Sequence, residues 1–578
     1  MKNCQNCKQE FEVTAKDREF LEMLKVPEPT WCPQCRSIRR LAFRNDRSLY
    51  KRKCDLCQKE SIMQYPSDAP FVVYCKTCWY SDGWDATTYA RDYDFNRPFF
   101  AQFKELMSVV PRLGLIHQNE NINSEYTNRI ADSKNCYLVF SSTAPEDCRY
   151  SAWANHSKNC QDCYAAIKSE RCYDCVDSTN CYQLAFSSDC INCRDSWFLH
   201  NCQNVTNSFG CVNVRNKQYC FFNEQLTKEE YEKKIAELGL DSAAAIEKAR
   251  QRFEEFKKQF IVPALVARRS VGATGNWLDD CKDATQSFNC QNNEHIRHCF
   301  SVYNGKDIMD HSHWSAGSER TYECSSVGFG CSNLHFAFEC WTQMMDSEYV
   351  ANCMKSKNLF GCIGLRNKEY CILNKQYSKD EYFALVEKIK KQMDEMPYVD
   401  AAGRVYKYGE FFPFDLSAFS YNEALVQEFY PIDKDEAAKM KLRWRDTAEK
   451  SYKITIASDS VPDKISEVGE SALKEIFGCE HQGGCKHQCT TAFRLIPEEL
   501  QMYKNANLPL PKLCPNCRHF GRLEKRNPMQ LWQRACQCTG AVTHQHGETA
   551  CQNKFETSYS PDRPEKVYCL ECYQQEVA

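Results

Sequence analysis

The sequence predicts a mainly β chain with α segments, in which tandem ribbon domains at both ends flank a duplicated, cysteine-laddered repeat with helical insertions. Three observations predict this. Four CxxC pairs fall within the first 78 residues, and the C-terminus repeats them at a near-constant offset. Between the ends, cysteines recur in steps of 12 and 9, and a 12-residue phrase returns 151 positions later.

The bulk composition is consistent with several packed domains. The 578 residues exceed what one core can hold, and 13% aromatic with 43% apolar residues is ample for burial. Lys and Arg number 74 against 77 Asp and Glu, a formal net charge of −3, so any nucleic-acid contact has to come from local patches. The 39 cysteines are an odd number, and the first residues carry no apolar leader. The expectation is a cytoplasmic protein with reduced thiols and no membrane span, many of those thiols holding metal.

At the N-terminus, sequential pairing groups Cys4, Cys7, Cys32 and Cys35 as one site and Cys54, Cys57, Cys75 and Cys78 as a second. A CxxC turn places two sulfurs on one knuckle, and two knuckles complete the tetrahedron that Zn²⁺ prefers. Shifting by 482 carries Cys7 onto Cys489, Cys32 and Cys35 onto Cys514 and Cys517, and Cys54 onto Cys536. After an insertion of 12 the offset becomes 494, carrying Cys57 onto Cys551 and Cys75 and Cys78 onto Cys569 and Cys572.

Site three is therefore expected to be Cys485, Cys489, Cys514 and Cys517, with Cys479, His481 and His487 as substitutes. Site four is Cys536 or Cys538 with Cys551, Cys569 and Cys572. His544 and His546 fall in the inserted loop and are expected to be solvated. Four thiolates saturate each metal, so about four structural zinc ions are expected and no catalytic one.

From Cys136 the cysteines step by 12, 12, 12, 9, 9, 12, 9 and 9, and alternate members mark coils of 24 to 18 residues. Such a period, with stacked Cys, Ser and Asn, predicts a parallel β-helix, a solenoid in which like residues form ladders. A second block from Cys281 to Cys371 ends like the first: Phe209–Cys220 matches Phe360–Cys371. Thr227-Lys-Glu-Glu and Ser378-Lys-Asp-Glu then read as capping boxes that start helices reaching about Phe260 and Met396. The middle cysteines read as buried small apolar residues rather than ligands.

The predicted organisation is ribbons at 1–52 and 53–95, a linker with helix at 96–130, repeat blocks at 131–225 and 269–376, and helices at 226–268 and 377–398. An aromatic bridging segment follows at 399–470, with a short helix over Ala437–Asp446, then ribbons at 471–530 and 531–578.

The carrying phrases of the ends are Phe11–Phe20, Cys32-Pro-Gln-Cys-Arg36 and Val73-Tyr-Cys-Lys-Thr-Cys78, with Cys514-Pro-Asn-Cys-Arg518 and Val567-Tyr-Cys-Leu-Glu-Cys572 as counterparts. These resemble the bacterial CxxC–CxxCR zinc-ribbon family of nucleic-acid-binding type. The whole layout, through Tyr370–Tyr377, Gly409-Glu-Phe-Phe-Pro413 and Phe555–Tyr559, resembles uncharacterised multi-zinc-ribbon proteins of candidate-phylum bacteria. The resemblance implies zinc and architecture, not a reaction.

For function, the basic run after the CxxCR knuckle motivates contact with RNA, DNA or a ribonucleoprotein. Arg36, Arg39, Arg40 and Arg44 at one end and Arg518, Arg522 and Arg526 at the other are the candidate phosphate contacts. The alternatives are a scaffold docking a protein partner on the repeat face and a β-helix enzyme. No Walker loop, HExxH or nucleophile elbow is present. The stretch Asp307-Ile-Met-Asp-His-Ser-His-Trp314 is the one polar oddity, expected as a solvent-facing turn.

Overall fold

The computed structural model describes residues 1–446, 452–542 and 544–577, so residues 447–451 of the predicted bridging segment lie outside it. The chain is mixed α/β, with a cysteine cluster set at each end and a large sheet of parallel strands between.

Each end is built twice on one plan. Lys2–Asn3 pairs antiparallel with Glu10–Phe11, and Tyr50–Lys53 with Glu60–Met63. Phe477–Gly478 with Ala492–Phe493, and Trp532–Ala535 with Lys554–Thr557, are the C-terminal equivalents. Helices Pro33–Leu41 and Pro515–Glu524 start at Cys-Pro, with Cys32 and Cys514 as N-caps. Proline suits the first helical position because its missing N–H has no intrahelical partner there.

The repeat region has a shorter period than the cysteine spacing suggests. In the first block, parallel partners from Asn121 onward stand 12 residues apart, from Asn121↔Ser133 through Tyr164↔Val176 to Phe209↔Phe221. Residues 267–376 form a ten-stranded sheet in sequence order, parallel except for its last pair. Its register is mostly 12, widening to 13 between Lys306↔Glu319, Glu319↔Ser332 and Ser332↔Met345. Neighbours are thus 11 to 13 residues apart, not the 18 to 24 read from alternate cysteines.

The physical unit is three residues long. Every third residue, as at Asn135, Leu138, Ser141, Ala144 and Asp147, has φ near +50°. Asn and Asp tolerate this left-handed region best, which explains the recurring Asn before Cys. The residue after most such corners is buried, giving the cluster Cys136, Val139, Cys148, Cys160, Cys163, Ala166, Cys172 and their successors. Cysteine steps of 12 and 9 are multiples of three, so each marks the same inward phase. The corner asparagines also pair across the register, as in Asn192 Nδ2 to Asn204 Oδ1 at 3.1 Å and Asn204 to Asn216 at 2.7 Å.

Helices close the last strands of each block. The Thr227–Glu230 and Ser378–Glu381 capping boxes are present. The first helical segment is two helices, Lys228–Leu238 and Ala243–Lys257, because Gly239 at φ +60° ends the first turn run. The second is Lys379–Glu395, which buries Tyr382, Val386 and Ile389.

The aromatic segment after it is core: Phe411, Phe412, Phe414 and Phe419 are buried with Trp31, Phe43 and Phe338. Phe338 and Phe412 meet edge to face at 5.0 Å. The helix expected over Ala437–Asp446 is instead Lys434–Lys439, set by an Asp433–Glu436 capping box and stopped before Lys441, where φ is +52°.

Candidate metal centres

Four cysteine tetrads come together: Cys4, Cys7, Cys32 and Cys35; Cys54, Cys57, Cys75 and Cys78; Cys479, Cys489, Cys514 and Cys517; and Cys536, Cys551, Cys569 and Cys572. Within each, the sulfurs lie within 4.8 Å of one another. Representative Sγ–Sγ distances are 3.8 Å for Cys7–Cys32, 3.9 Å for Cys57–Cys75, 3.8 Å for Cys479–Cys517 and 4.0 Å for Cys551–Cys569. A tetrahedron of about 2.3 Å metal–sulfur bonds has an edge of about 3.8 Å, so the donor sets fit a four-coordinate ion. All the cysteines are free thiols.

One local contact recurs at all four. The backbone N–H of Cys32 donates to Cys4 Sγ, of Cys75 to Cys54 Sγ, of Cys514 to Cys479 Sγ and of Cys569 to Cys536 Sγ, each at 3.2 Å. Donors at sulfur favour the thiolate, as do the helix N-termini that Cys32, Cys75 and Cys514 cap. Without metal the sulfurs cannot all ionise. Hydrogen bonds from the Cys32 and Cys35 thiols hold Cys4 far below the ordinary thiol range, while those that Cys35 makes with Cys32 and Cys4 drive it far above that range. At Cys54, burial opposes ionisation, but the backbone N–H groups of Cys57 and Cys75 bring the thiol down to about 7.

The third tetrad corrects the sequence reading. Cys479, not Cys485, stands where Cys4 stands. Phe477 pairs with Phe493 as Lys2 pairs with Phe11, and Cys479 N–H bonds Thr491 O as Cys4 N–H bonds Gln9 O. Seven extra residues separate Cys479 from Cys489, and the closer Cys485 disguised that insertion. Cys485 falls instead in an adjacent group with His481, His487 and Cys517. At the fourth site Cys536 joins the tetrad and Cys538 does not. His544 was expected to be solvated but is buried, its Nδ1 3.1 Å from Cys538 Sγ.

The repeat cysteines have other partners. Cys148 Sγ donates toward Glu146 O at 3.3 Å and Ser157 O at 3.4 Å, and Cys160 toward Lys158 O and Ser169 O. Ser157 makes the same two bonds, to Asn155 O and Ala166 O. Burial raises Cys136 and Cys202 to about 12. Cys136 and Cys202 are thus protonated thiols, each donating to main-chain carbonyls.

The arginines expected to face phosphate are buried in ion pairs, which overturns that assignment. Arg36 bonds Asp310 at 2.7 Å, and Arg39 bonds Glu323 at 2.7 Å and Glu410 at 2.8 Å. Arg40 bridges Asp310 and Glu323 at 3.0 and 2.9 Å, and Arg44 pairs with Asp46 at 2.9 Å. At the other end Arg518 and Arg522 share Asp162 at 2.6 and 2.9 Å, and Arg526 meets Asp177 at 2.7 Å. Asp162, Asp177, Asp310 and Glu323 all sit at left-handed corners, which turn their carboxylates outward from the ladder onto the ribbon helices. The N-terminal helix docks on the second block and the C-terminal helix on the first.

The Asp307–Trp314 stretch is also not a solvent-facing turn. Asp310, His311, Ser312 and His313 are buried, with the His313 ring 4.8 Å from Phe300 and 5.5 Å from Trp153. A cavity of about 300 Å³ opens beside it between the two blocks, walled by Trp153, Tyr303, His313, Trp314, Phe329 and Trp341. His313 Nε2 and Trp314 Nε1 have no hydrogen-bond partner there.

Among the described residues no helix is long and apolar enough to cross a membrane. No protein-family model matches the chain, and no curated protein is significantly similar to it.

Proposed function

We propose that this chain is a zinc-organised binding protein, non-enzymatic at its metals, in which four Cys4 centres clamp the ends onto a repeat of closed 12-residue coils. The carrying observation is the fourfold recurrence of a closed sulfur tetrahedron with the same 3.2 Å N–H···S contact. Four thiolates leave no position for a reacting water, so the ion supplies folding energy. The all-sulfur donor set and tetrahedral edges suit zinc, as the resemblance to zinc-ribbon families implies.

The test is metal analysis of the purified chain with graded chelation, followed by circular dichroism. At least four zinc ions per chain and loss of structure on chelation are expected. A fully folded chain with no bound metal would overturn the reading.

The nucleic-acid reading loses its motivating residues, because Arg36, Arg39, Arg40, Arg44, Arg518, Arg522 and Arg526 are spent on carboxylates. The cavity between the blocks favours a small ligand with an apolar face and a hydrogen-bonding edge. Its aromatic walls supply the first contact, and His313 Nε2 and Trp314 Nε1 the second. Screening by quenching of tryptophan emission tests this: the expected quenching is lost in Trp314→Ala. Equal quenching in that variant would place the ligand elsewhere.

A further inference from the structure

The two C-terminal tetrads carry something that the N-terminal pair lacks. Each is interrupted inside its first knuckle, by seven residues between Cys479 and Cys489 and by 12 between Cys536 and Cys551. The two insertions differ in sequence, yet each delivers one cysteine and two histidines: His481, Cys485 and His487 in one, Cys538, His544 and His546 in the other. Both sets gather against the last cysteine of the tetrad. Cys485 Sγ lies 3.7 Å from Cys517 Sγ, and the His481, Cys485, His487 and Cys517 donor atoms all lie within 4.8 Å of one another. In the other, His546 Nε2 is 3.1 Å from Cys572 Sγ and 3.7 Å from Cys538 Sγ, and His544 Nδ1 is 3.1 Å from Cys538 Sγ.

We propose that each C-terminal centre is dinuclear. A second metal ion is held by Cys485, His481 and His487 with Cys517 as bridging thiolate, and another by Cys538, His544 and His546 with Cys572 as bridging thiolate. This rests on the reading of the tetrads as zinc sites.

Four features carry it beyond proximity. First, Cys517 Sγ stands a tetrahedral edge from a sulfur on each side, 3.8 Å from Cys479 and 3.7 Å from Cys485, which places it between two sites. Second, His481 Nδ1 and His487 Nδ1 are buried atoms with no hydrogen-bond partner, the state of a nitrogen awaiting a metal.

Third, the far side of one ring in each pair is held as in metal-bound histidines. His487 Nε2 is 2.8 Å from Glu524, and His546 Nδ1 is 2.9 Å from Thr549 O. The ring pairs are spaced alike, with centroids 5.3 Å apart for His481–His487 and 5.2 Å for His544–His546. Fourth, the first N-terminal tetrad shows the alternative: Cys35, the counterpart of Cys517, accepts a side-chain amide from Asn6 at 3.3 Å.

The chemistry is balanced. One dication with four thiolates carries two excess negative charges, and adding a second dication with one more thiolate lowers the excess to one. Each second ion would have two sulfurs and two imidazole nitrogens, a tetrahedral set suited to zinc.

Metal counting of the full-length chain by elemental analysis and native mass spectrometry tests this. Six ions per chain are expected, four in tetrads and two in the added sites. Four would overturn the proposal and leave the tetrads standing, whereas fewer than four would fail the tetrads themselves. The double substitutions His481→Ala with His487→Ala, and His544→Ala with His546→Ala, should each remove one ion with the circular dichroism unchanged. Retention of six ions in either would overturn that site. Cadmium-113 substitution reads the bridge directly: coupled cadmium resonances are expected within each C-terminal centre and none in the N-terminal ones. Six bound ions with no such coupling would overturn the shared thiolate.

Discussion

At the scale of single residues, the buried charges govern the ribbon helices. Arg39 is fully buried, stacked 4.4 Å over Trp31 and paired with both Glu323 and Glu410. Removing it leaves Glu410 without a cationic partner and Glu323 with Arg40 alone in a dry interface, which costs far more than the pair itself contributes. Arg39→Ala should lower the unfolding free energy by about 3–5 kcal/mol in a denaturant titration. An unchanged midpoint would mean that the interface is open to water.

Glu428 titrates in the opposite sense to a salt-bridged acid. Burial lifts its carboxyl to about 8 despite Arg47 nearby, and His519 Nε2 lies 3.2 Å away. A carboxyl whose folded value exceeds its unfolded one contributes stability fully below the unfolded value and loses it as pH rises through the folded one. Stability should therefore fall between about pH 4.5 and 8 through this group, and Glu428→Gln should flatten that part of the profile. Thermal unfolding from pH 6 upward, where thiol–metal bonds are less challenged by protons than at acid pH, checks it.

At the scale of elements, the three-residue unit decides which substitutions the ladder tolerates. Its inward position needs a small side chain that bonds the carbonyls two residues back and nine ahead, as Cys148 and Ser157 both do. Cys148→Ser should cost about 1 kcal/mol or less, because the hydroxyl repeats both bonds. Cys148→Leu should cost about 1–3 kcal/mol by overpacking. Neither should alter the metal content, and a lost ion in Cys148→Ser would show that the ladder holds metal. The corner residue has the opposite requirement, a tolerance for φ near +50°, and its side chain faces out. That is why Asp162, Asp310 and Glu323 receive arginines, while Cys163, His311 and Cys324, one step further on, are buried.

At the scale of the whole molecule, the cysteine tetrads and the repeat are mechanically joined. The helix that starts at Cys32 carries Arg36, Arg39 and Arg40 into the second block, and the helix that starts at Cys514 carries Arg518 and Arg522 into the first. Chelation should therefore do more than unravel short hairpins. It should release the arginines, uncover Trp31, and red-shift tryptophan emission together with the loss of circular dichroism. A shift confined to the last stage of unfolding would show that the ends melt independently of the repeat.

Much of this was legible in the residues alone. The CxxC pairs marked the two N-terminal tetrads outright, because their spacing carries no insertion, and the offsets left one choice, Cys536 or Cys538, at site four. The capping boxes at Thr227 and Ser378 marked helix starts, since the N-cap bonds are local. Where an insertion or a long-range partner intervened, local reasoning failed. Seven extra residues hid Cys479 behind Cys485, and the basic run after Cys35 looked free to meet phosphate because the acids that take Arg36, Arg39 and Arg40 lie 270 or more positions away in sequence. The cysteine steps suggested coils of about 20, although their common factor of three was there to be read.

The sequence by itself determined the cysteine pairs and their duplication, because residue type, knuckle spacing and offset are properties of the chain before it folds. Only the tertiary structure decided the tetrad partner at site three, the burial of the arginines and the gathering of two histidines beside each C-terminal tetrad. These depend on which distant surfaces meet, and a charge or an imidazole takes its role from what it meets.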